Sequence, residues 1–213
     1  MRQNSRCYEG GKSMRVIGVT GGVGSGKSAV LNYIEAHFDA RIVKADEVGH
    51  MLMMPWGKCF DPVVQLFGDW VVREDGSLDR QAIAQIVFKD PEMLKKLNAV
   101  IHPEVKKYIV KEIERSRKEE TEFFFIEAAL LLEEKYDEIC DEIWYIYCEK
   151  EVRMERLRRD RGYSDERIRQ VMENQLPDEE YEAHCDFQLY NDEDVAHTYL
   201  QIERRMRTYY ESV

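Results

Sequence analysis

Short apolar runs alternate with longer segments of helical spacing along most of this chain. The first run, Arg15-Val16-Ile17-Gly18-Val19-Thr20, is rich in β-branched residues and ends at glycines, which predicts a buried strand. Apolar residues from Ala29 to Phe38 then follow helical spacing. Four further strands are predicted, at 41–43, 122–126, 142–147 and 187–190. Strands that alternate with helices predict an α/β fold with a parallel sheet.

The segment from Asp46 to Lys118 has an almost entirely helical pattern. Asp79 is predicted to cap a helix whose apolar face begins at Ala82. Pro91 and Pro103 each lie where a new helix is expected to begin. The segment is too long for a simple crossover between two strands, so we expect an inserted helical lobe that covers one edge of the active site. A last helix is predicted to place four residues on one face: Val195, Tyr199, Ile202 and Met206.

The composition is that of an ordinary globular protein. Of the 213 residues, 44% are hydrophobic and 34% are charged, and no apolar run approaches the length of about 20 residues that spans a bilayer. The net charge of −11 disfavours a nucleic-acid backbone as the main partner. Residues 1–13 are polar and lack the apolar stretch of a secretory signal. We expect them to form a disordered extension outside the fold.

Five cysteines are present, at wide spacings and without a C-x-x-C motif. The odd count and the spacings argue against a disulfide scaffold or a structural zinc site. Reduced thiols in a cytoplasmic protein are the expected state.

The strongest local signal is Gly21-Gly22-Val23-Gly24-Ser25-Gly26-Lys27-Ser28, which matches the P-loop pattern G-x-x-x-x-G-K-[ST]. Its glycines let backbone N–H groups point at phosphate oxygens, and the following helix offers its positive end to the same anion. Lys27 suits the β- and γ-phosphates of ATP, and the Ser28 hydroxyl suits Mg²⁺. The predicted cofactor-binding residues are Gly22, Gly24, Ser25, Gly26, Lys27, Ser28 and Ala29.

Two other interpretations of this motif fit less well. A glycine-rich turn with an incidental lysine does not explain why the motif lies between a predicted strand and a predicted helix. The dinucleotide-binding fingerprint fails because Lys27 stands where its third glycine should be. A phosphate cradle alone does not separate a kinase from an ATPase or a GTPase, but neither N-K-x-D nor L-S-G-G-Q occurs in the chain.

Two carboxylates follow predicted strands, where ligands bind in open α/β sheets. Asp46 could accept or orient the proton of an attacking hydroxyl, or it could cap a helix, and spacing alone leaves both interpretations open. Glu127 could lie near Mg²⁺, or it could be an acidic residue in the first turn of a helix.

Seven arginines fall within seventeen residues of this acidic protein, and Gly162 separates two helical patterns among them. The arrangement predicts a helix–turn–helix lid that closes arginines onto phosphate oxygens. For any single arginine a solvated surface paired with nearby carboxylates is the better interpretation, whereas one or two of the set are expected to serve the lid. The seven are Arg153, Arg156, Arg158, Arg159, Arg161, Arg167 and Arg169.

These motifs together resemble the dephospho-coenzyme A kinases over about residues 14–210. The P-loop with Thr20 resembles their opening, and Ala45-Asp46 resembles their D-A-D segment, although Lys44 replaces its first aspartate and leaves Asp46 as the candidate. Further stretches resemble their G-x-L-D-R, V-F, L-N-x-I-x-H-P, L-L-x-E and late D…N patterns. In this chain they are 76–80, 87–88, 97–103, 130–133, Asp186 and Asn191.

The resemblance implies an ATP-dependent kinase that phosphorylates the ribose 3′-hydroxyl of dephospho-coenzyme A. It implies a P-loop core of three layers around a five-stranded parallel sheet, formed by 14–45, 121–150 and 176–213. A substrate-binding helical lobe would occupy 46–120 and a lid 151–175. It also implies roles for individual residues: Asp46 as base, Lys27 and an arginine, Arg156 or Arg161, in catalysis, and Thr20, Arg80 and His102 at the acceptor. Two alternatives stay open, a nucleoside-monophosphate-type kinase and a P-loop module that binds nucleotide without transfer.

Overall fold

The centre of the protein is a five-stranded parallel sheet, seen in a computed structural model that describes residues 14–211. Its strands run across the sheet in the order β2-β3-β1-β4-β5. Each predicted strand is confirmed to within one residue at either end. The predicted extension at 1–13 lies outside the described residues. The strands are β1 (Arg15–Thr20), β2 (Ala40–Lys44), β3 (Phe123–Glu127), β4 (Glu142–Tyr147) and β5 (Phe187–Tyr190).

Helices cover both faces of the sheet and form the lobe between β2 and β3. The predicted cap at Asp79 is confirmed, because its side chain accepts a hydrogen bond from the Ala82 N–H at 3.0 Å. Between 14 and 211 no helix is both long and apolar enough to cross a membrane. The α-helices are α1 (Lys27–His37), α2 (Ala45–Leu52), α3 (Phe60–Phe67), α4 (Arg80–Lys89), α5 (Pro91–Lys118), α6 (Lys150–Arg161), α7 (Asp165–Glu173), α8 (Asp178–His184) and α9 (Val195–Glu211).

The prediction that a helix begins at Pro103 is wrong. Pro91 does begin α5, but Pro103 lies inside this single helix of 28 residues. A proline in a helix interior removes one backbone hydrogen bond and crowds the carbonyl four residues before it. Buried residues on both sides of it, Leu97 and Val105, hold the helix against the rest of the protein. This tertiary packing outweighs the local signal.

Alternate residues of the strands point to two hydrophobic layers, as the two-residue period of a strand requires. On one face Ile17 and Trp144 pack with α1 and α9, and on the other Val16 and Phe124 pack with α2 and α5. The face predicted for the last helix is confirmed at Ile202 and Met206, both fully buried. Val195 begins α9 and is exposed, so the burial of that face does not extend to the first residue of the helix.

The lobe between β2 and β3 has a hydrophobic cluster of its own. Its buried residues come from α3, the turn after it, α4 and the first part of α5: Val63, Phe67, Val71, Leu78, Ile83 and Leu97. The first helix of the lobe, α2, instead belongs to the layer on the sheet, through Val48 and Leu52. The lobe is therefore continuous with the sheet at the point where α2 leaves β2.

Candidate active site

The P-loop motif forms the turn between β1 and α1. Gly26 has a φ of +87°, which favours glycine, and a Cβ there would collide with the amide nitrogen of Asn191. That buried amide donates to the Ser25 carbonyl at 2.7 Å, and its own oxygen accepts from the Thr198 hydroxyl at 2.9 Å. Asn191 directly follows β5, so the far edge of the sheet holds the turn in shape.

Lys27 is the first residue of α1, and its ammonium group folds back over the turn. It donates to the carbonyl oxygens of Gly21 at 2.6 Å and Gly22 at 3.3 Å. Burial lowers the pKa of Lys27, while the carboxylates of Glu127 and Asp46 oppose that shift. The ammonium therefore lies within electrostatic reach of both candidate carboxylates.

Two hydroxyl groups, at the end of β1 and in the turn, have no hydrogen-bond partner among the residues that the structure describes. They belong to Thr20 and Ser25, and both are buried. A buried hydroxyl without a partner costs about 1–3 kcal/mol, so such groups usually mark a place where something else binds. Ser28 and Ala29 are exposed in the first turn of α1, where the Ala29 N–H donates to the Gly26 carbonyl at 3.0 Å.

Both candidate carboxylates lie at the carboxyl edge of the sheet. Lys44 and Glu127 are paired in register at the ends of β2 and β3, and Asp46 follows two residues after Lys44. Burial raises the pKa of the Glu127 carboxyl, and the ammonium groups of Lys27 and Lys44 oppose the shift. The Glu127 carboxyl therefore lies within electrostatic reach of Lys27, Lys44 and Asp46.

The structure also tests the alternative interpretations of Asp46 as a helix cap and of Glu127 as an acidic residue in the first turn of a helix. Lys44 occupies the N-cap position of α2 and no side chain caps the helix, so Asp46, exposed in its first turn, is not the cap. Glu127 ends a strand and is followed by turns rather than an α-helix. It is therefore not an acidic residue in the first turn of a helix.

The seven arginines divide between the P-loop and the surface. Arg156 Nη1 lies 3.5 Å from the Ser25 carbonyl oxygen and 3.4 Å from Cys148 Sγ. Arg161, exposed at the end of α6, is close enough to Lys27 to lower its pKa further. The next residue, Gly162, ends α6 with a φ of +62°, and α7 begins three residues later, so the predicted helix–turn–helix is confirmed.

Other arginines of the set pair locally, as the surface interpretation predicts. Arg158 donates to Asp165 at 2.6 Å and Arg159 donates to Asp160 at 2.7 Å, all four side chains being largely exposed. Arg167 stacks over the ring of Tyr163. Such exposed pairs contribute little to stability and leave the P-loop untouched.

Arg80, at the start of α4, meets the helix that carries Asp46. Its Nη2 donates to His50 Nε2 at 2.6 Å, and His50 lies one turn after Asp46 on α2. A guanidinium can only donate, so this imidazole is neutral with its proton on Nδ1. Burial and the charge of Arg80 lower the pKa of His50, which agrees with that state.

His102 lies in a separate cleft on α5. Its Nδ1 is 2.5 Å from a carboxylate oxygen of Glu134, in the turns that follow β3. The cleft has a volume of about 660 Å³. Its lining combines apolar residues with polar and charged side chains that include Lys95, Asn98 and Lys106.

Comparison with known proteins identifies the family. The sequence matches the family model described as Dephospho-CoA kinase over residues 15–197. The chain belongs to the dephospho-CoA kinase family. Members of this family catalyse the final step of coenzyme A biosynthesis.

Individual dephospho-CoA kinases are similar along nearly the whole chain. One from Symbiobacterium thermophilum is 34% identical over 194 residues, covering 91% of this chain and 81% of that protein. One from Streptococcus mutans is 32% identical over 198 residues, covering 91% and 96%. The crystal structure of TT1252 from Thermus thermophilus has a TM-score of 0.79 at 28% identity, covering 92% of this chain and 98% of that one. The predicted family and fold class are thus confirmed.

For this member of the dephospho-CoA kinase family, sequence analysis named Arg153 only as one of the arginine cluster and missed His50 and Gln175. Arg153 is buried against Gly22, His50 accepts from Arg80, and Gln175 accepts from the Val23 N–H. Two signals could have found two of them. Arg153 and Arg156 share a helix face at a spacing of three, and His50 shares a face with Asp46 at a spacing of four. Gln175 carried no signal that we can identify.

Proposed function

We propose that this chain transfers the γ-phosphate of ATP to the ribose 3′-hydroxyl of dephospho-coenzyme A, giving coenzyme A and ADP. One observation carries the proposal: in a member of the dephospho-CoA kinase family, Lys27 folds over the P-loop at the same sheet edge at which β2 and β3 lead into Asp46 and Glu127. A P-loop beside a carboxylate and an arginine suits transfer to an alcohol.

A coupled assay of ADP formation tests this proposal with ATP, Mg²⁺ and dephospho-coenzyme A. We expect ADP to form only when the acceptor is added and the product to co-elute with coenzyme A. ADP formed without an acceptor would favour a simple ATPase. Faster turnover with nucleoside monophosphates would favour the alternative kinase type.

In the proposed reaction the ribose 3′-oxygen attacks the γ-phosphorus, and the bond from that phosphorus to the β,γ-bridging oxygen breaks. ADP leaves with the electron pair of the broken bond, and the proton of the hydroxyl passes to the Asp46 carboxylate. Lys27 stabilises the charge of the phosphate oxygens. The exposed position of Asp46 beside the cradle supports its role as base.

Magnesium fits the residues at the sheet edge. Within 14–211 no group of three or more histidine, cysteine or acidic side chains could hold a metal by itself. Mg²⁺ typically keeps several waters and binds one or two protein oxygens together with substrate phosphates. The Ser28 hydroxyl would be its direct protein ligand, and Glu127 would orient a water of its shell. When bound, the ion neutralises charge on the β- and γ-phosphates.

We assign the contact with the transferring phosphate to the lid, residues 151–175, through Arg156 or Arg161. Arg156 already faces the P-loop turn, and Arg161 is exposed but within electrostatic reach of Lys27. An arginine fork can bind two oxygens of the phosphate at once. The two residues are five positions apart on α6, so their side chains leave the helix at different points along its axis.

Replacing the arginine that contacts the transferring phosphate by lysine is expected to lower kcat by about 10- to 100-fold while ATP affinity changes less. Lysine keeps the charge but loses the fork. Stopped assays and ATP titrations of Arg156→Lys and Arg161→Lys would measure both quantities. Arg159→Lys is the control, because Arg159 pairs with Asp160 on the surface. Unchanged kcat in both test variants would contradict the lid assignment.

The lobe, residues 46–120, is proposed to bind the acceptor, with Arg80 and His102 lining its site and Thr20 at its boundary with the P-loop. The exposed Arg80 guanidinium donates to His50, one turn after Asp46 on α2, and this contact supports the assignment. His102 lines the cleft along α5, which we assign to the part of an extended acceptor that lies away from the P-loop. The core, lobe and lid would then meet around the two substrates.

Arg80→Ala is expected to raise the KM for dephospho-coenzyme A by about 10- to 100-fold, since hydrogen bonds to charged groups contribute about 1.5–3 kcal/mol. The KM for ATP should stay close to that of the wild type. Lys89→Ala, at the exposed far end of the same helix, is the matched control. Equal changes in both KM values would indicate a damaged lobe instead of a lost acceptor contact.

We also infer a cytoplasmic location. Four of the five cysteines are described, and all four are free thiols. Free thiols are typical of reducing compartments. Fractionation of the native host would test this inference.

A further inference from the structure

The last residue of the lid, residues 151–175, is hydrogen-bonded to the backbone of the P-loop. The side-chain oxygen of Gln175 accepts a hydrogen bond from the Val23 N–H at 2.8 Å, although the two residues are 152 positions apart. Gln175 follows α7, and its own N–H donates to the Met172 carbonyl at 3.1 Å. The bond therefore joins the last turn of the lid to the P-loop backbone.

Arg153, near the start of the lid, lies against the two glycines that flank Val23 in the P-loop. A Cβ at Gly22 would overlap the Arg153 guanidinium, and one at Gly24 would lie 2.9 Å from the Arg153 carbonyl oxygen. Arg153 is buried, and its Nε has no partner among the described residues. The first and last parts of the lid thus contact three consecutive residues of the P-loop.

Asp178 links these two parts of the lid to the sheet. It accepts from Arg153 Nη2 at 3.3 Å and from the Tyr145 hydroxyl at 2.7 Å. Asp178 begins α8 three residues after Gln175, and Tyr145 lies within β4. The segment that follows Gln175 is therefore hydrogen-bonded to β4, the strand that leads into α6.

We propose that Gln175 is a positioning residue for phosphoryl transfer, acting through the Val23 peptide. Its hydrogen bond occupies the Val23 N–H and sets the orientation of the Gly22–Val23 peptide plane. The carbonyl oxygen of that same peptide accepts from the Lys27 ammonium at 3.3 Å and from the Ser25 N–H at 3.1 Å. Positioning dominates the catalysis of phosphoryl transfer. A change in the orientation of this peptide is therefore expected to misplace the bound phosphate and to slow its transfer. The inference rests on the proposed kinase activity.

The test compares Gln175→Met with Gln175→Glu. Methionine has nearly the same length but cannot accept the Val23 hydrogen bond well, whereas glutamate can. We expect Gln175→Met to lower kcat by about 10- to 100-fold and to increase the fraction of ATP hydrolysed without transfer. ADP affinity should stay close to that of the wild type. Gln170→Met, exposed on α7, is the matched control.

Gln175→Glu should restore the coupling of hydrolysis to transfer, although its negative charge weakens ATP binding. Three results would overturn the proposal. Unchanged kcat and coupling in Gln175→Met would make the contact dispensable. A lowered melting temperature with unchanged kcat would make it purely structural. Tighter ATP binding would mean that Gln175 competes with phosphate for the N–H. Failure of the wild type to phosphorylate dephospho-coenzyme A would instead contradict the proposed function.

Discussion

Lys27→Met is expected to lower kcat by about 10³-fold or more, because positioning and charge stabilisation supply nearly all of the catalysis in phosphoryl transfer. The substitution keeps the length of the side chain but removes its charge. The fold should survive, since burial already disfavours the charged ammonium, as its lowered pKa indicates. A melting temperature at or above that of the wild type is therefore expected alongside the loss of turnover.

Lys111→Met provides the control for this prediction. Lys111 is exposed on α5, so the substitution removes the same charge without touching the P-loop. Near-normal kcat in a folded Lys27→Met variant would contradict the phosphate-binding role of Lys27. A large fall in melting temperature would point to a role in holding the Gly21 and Gly22 carbonyls instead.

The sheet could be predicted from the sequence because its strands are buried on both faces. Such strands appear as short apolar runs, so β3, with Phe123 to Ile126 all buried, stands out from its polar neighbours. Helix boundaries were harder to predict. Pro103 carries a strong local signal for a new helix, but packing at Leu97 and Val105 continues α5 through it.

The P-loop was predictable because its residues are contiguous and their types follow from phosphate binding. The contacts around it were not, because they join distant parts of the chain. His50 and Arg80 are 30 positions apart, and Val23 and Gln175 are 152 apart, so no local pattern links them. The arginine cluster was an intermediate case. Composition predicted a lid, but only the fold showed that Arg153 is buried against the P-loop.

Asp46→Asn is expected to lower kcat by about 10²- to 10⁴-fold, the usual range for a general base. Asparagine keeps the shape of the side chain and removes its charge. ATP affinity should change little, because no backbone group of the P-loop is altered. Single-turnover assays with dephospho-coenzyme A, together with ATP titrations, would separate the two quantities.

Glu47→Gln is the matched control for this last prediction. Glu47 is the next residue in the same exposed first turn of α2, so both substitutions remove one negative charge near the positive end of the helix. Its ion pair with Lys44 is on the surface and should contribute little. Any loss of kcat that the two variants share therefore reflects the changed charge at the start of α2. The difference in kcat between them reflects the role of Asp46 in the reaction.

If Asp46→Asn keeps most of its turnover, the proton acceptor lies elsewhere. Glu127, whose pKa burial raises and which lies within electrostatic reach of Lys27, is then the next carboxylate to replace.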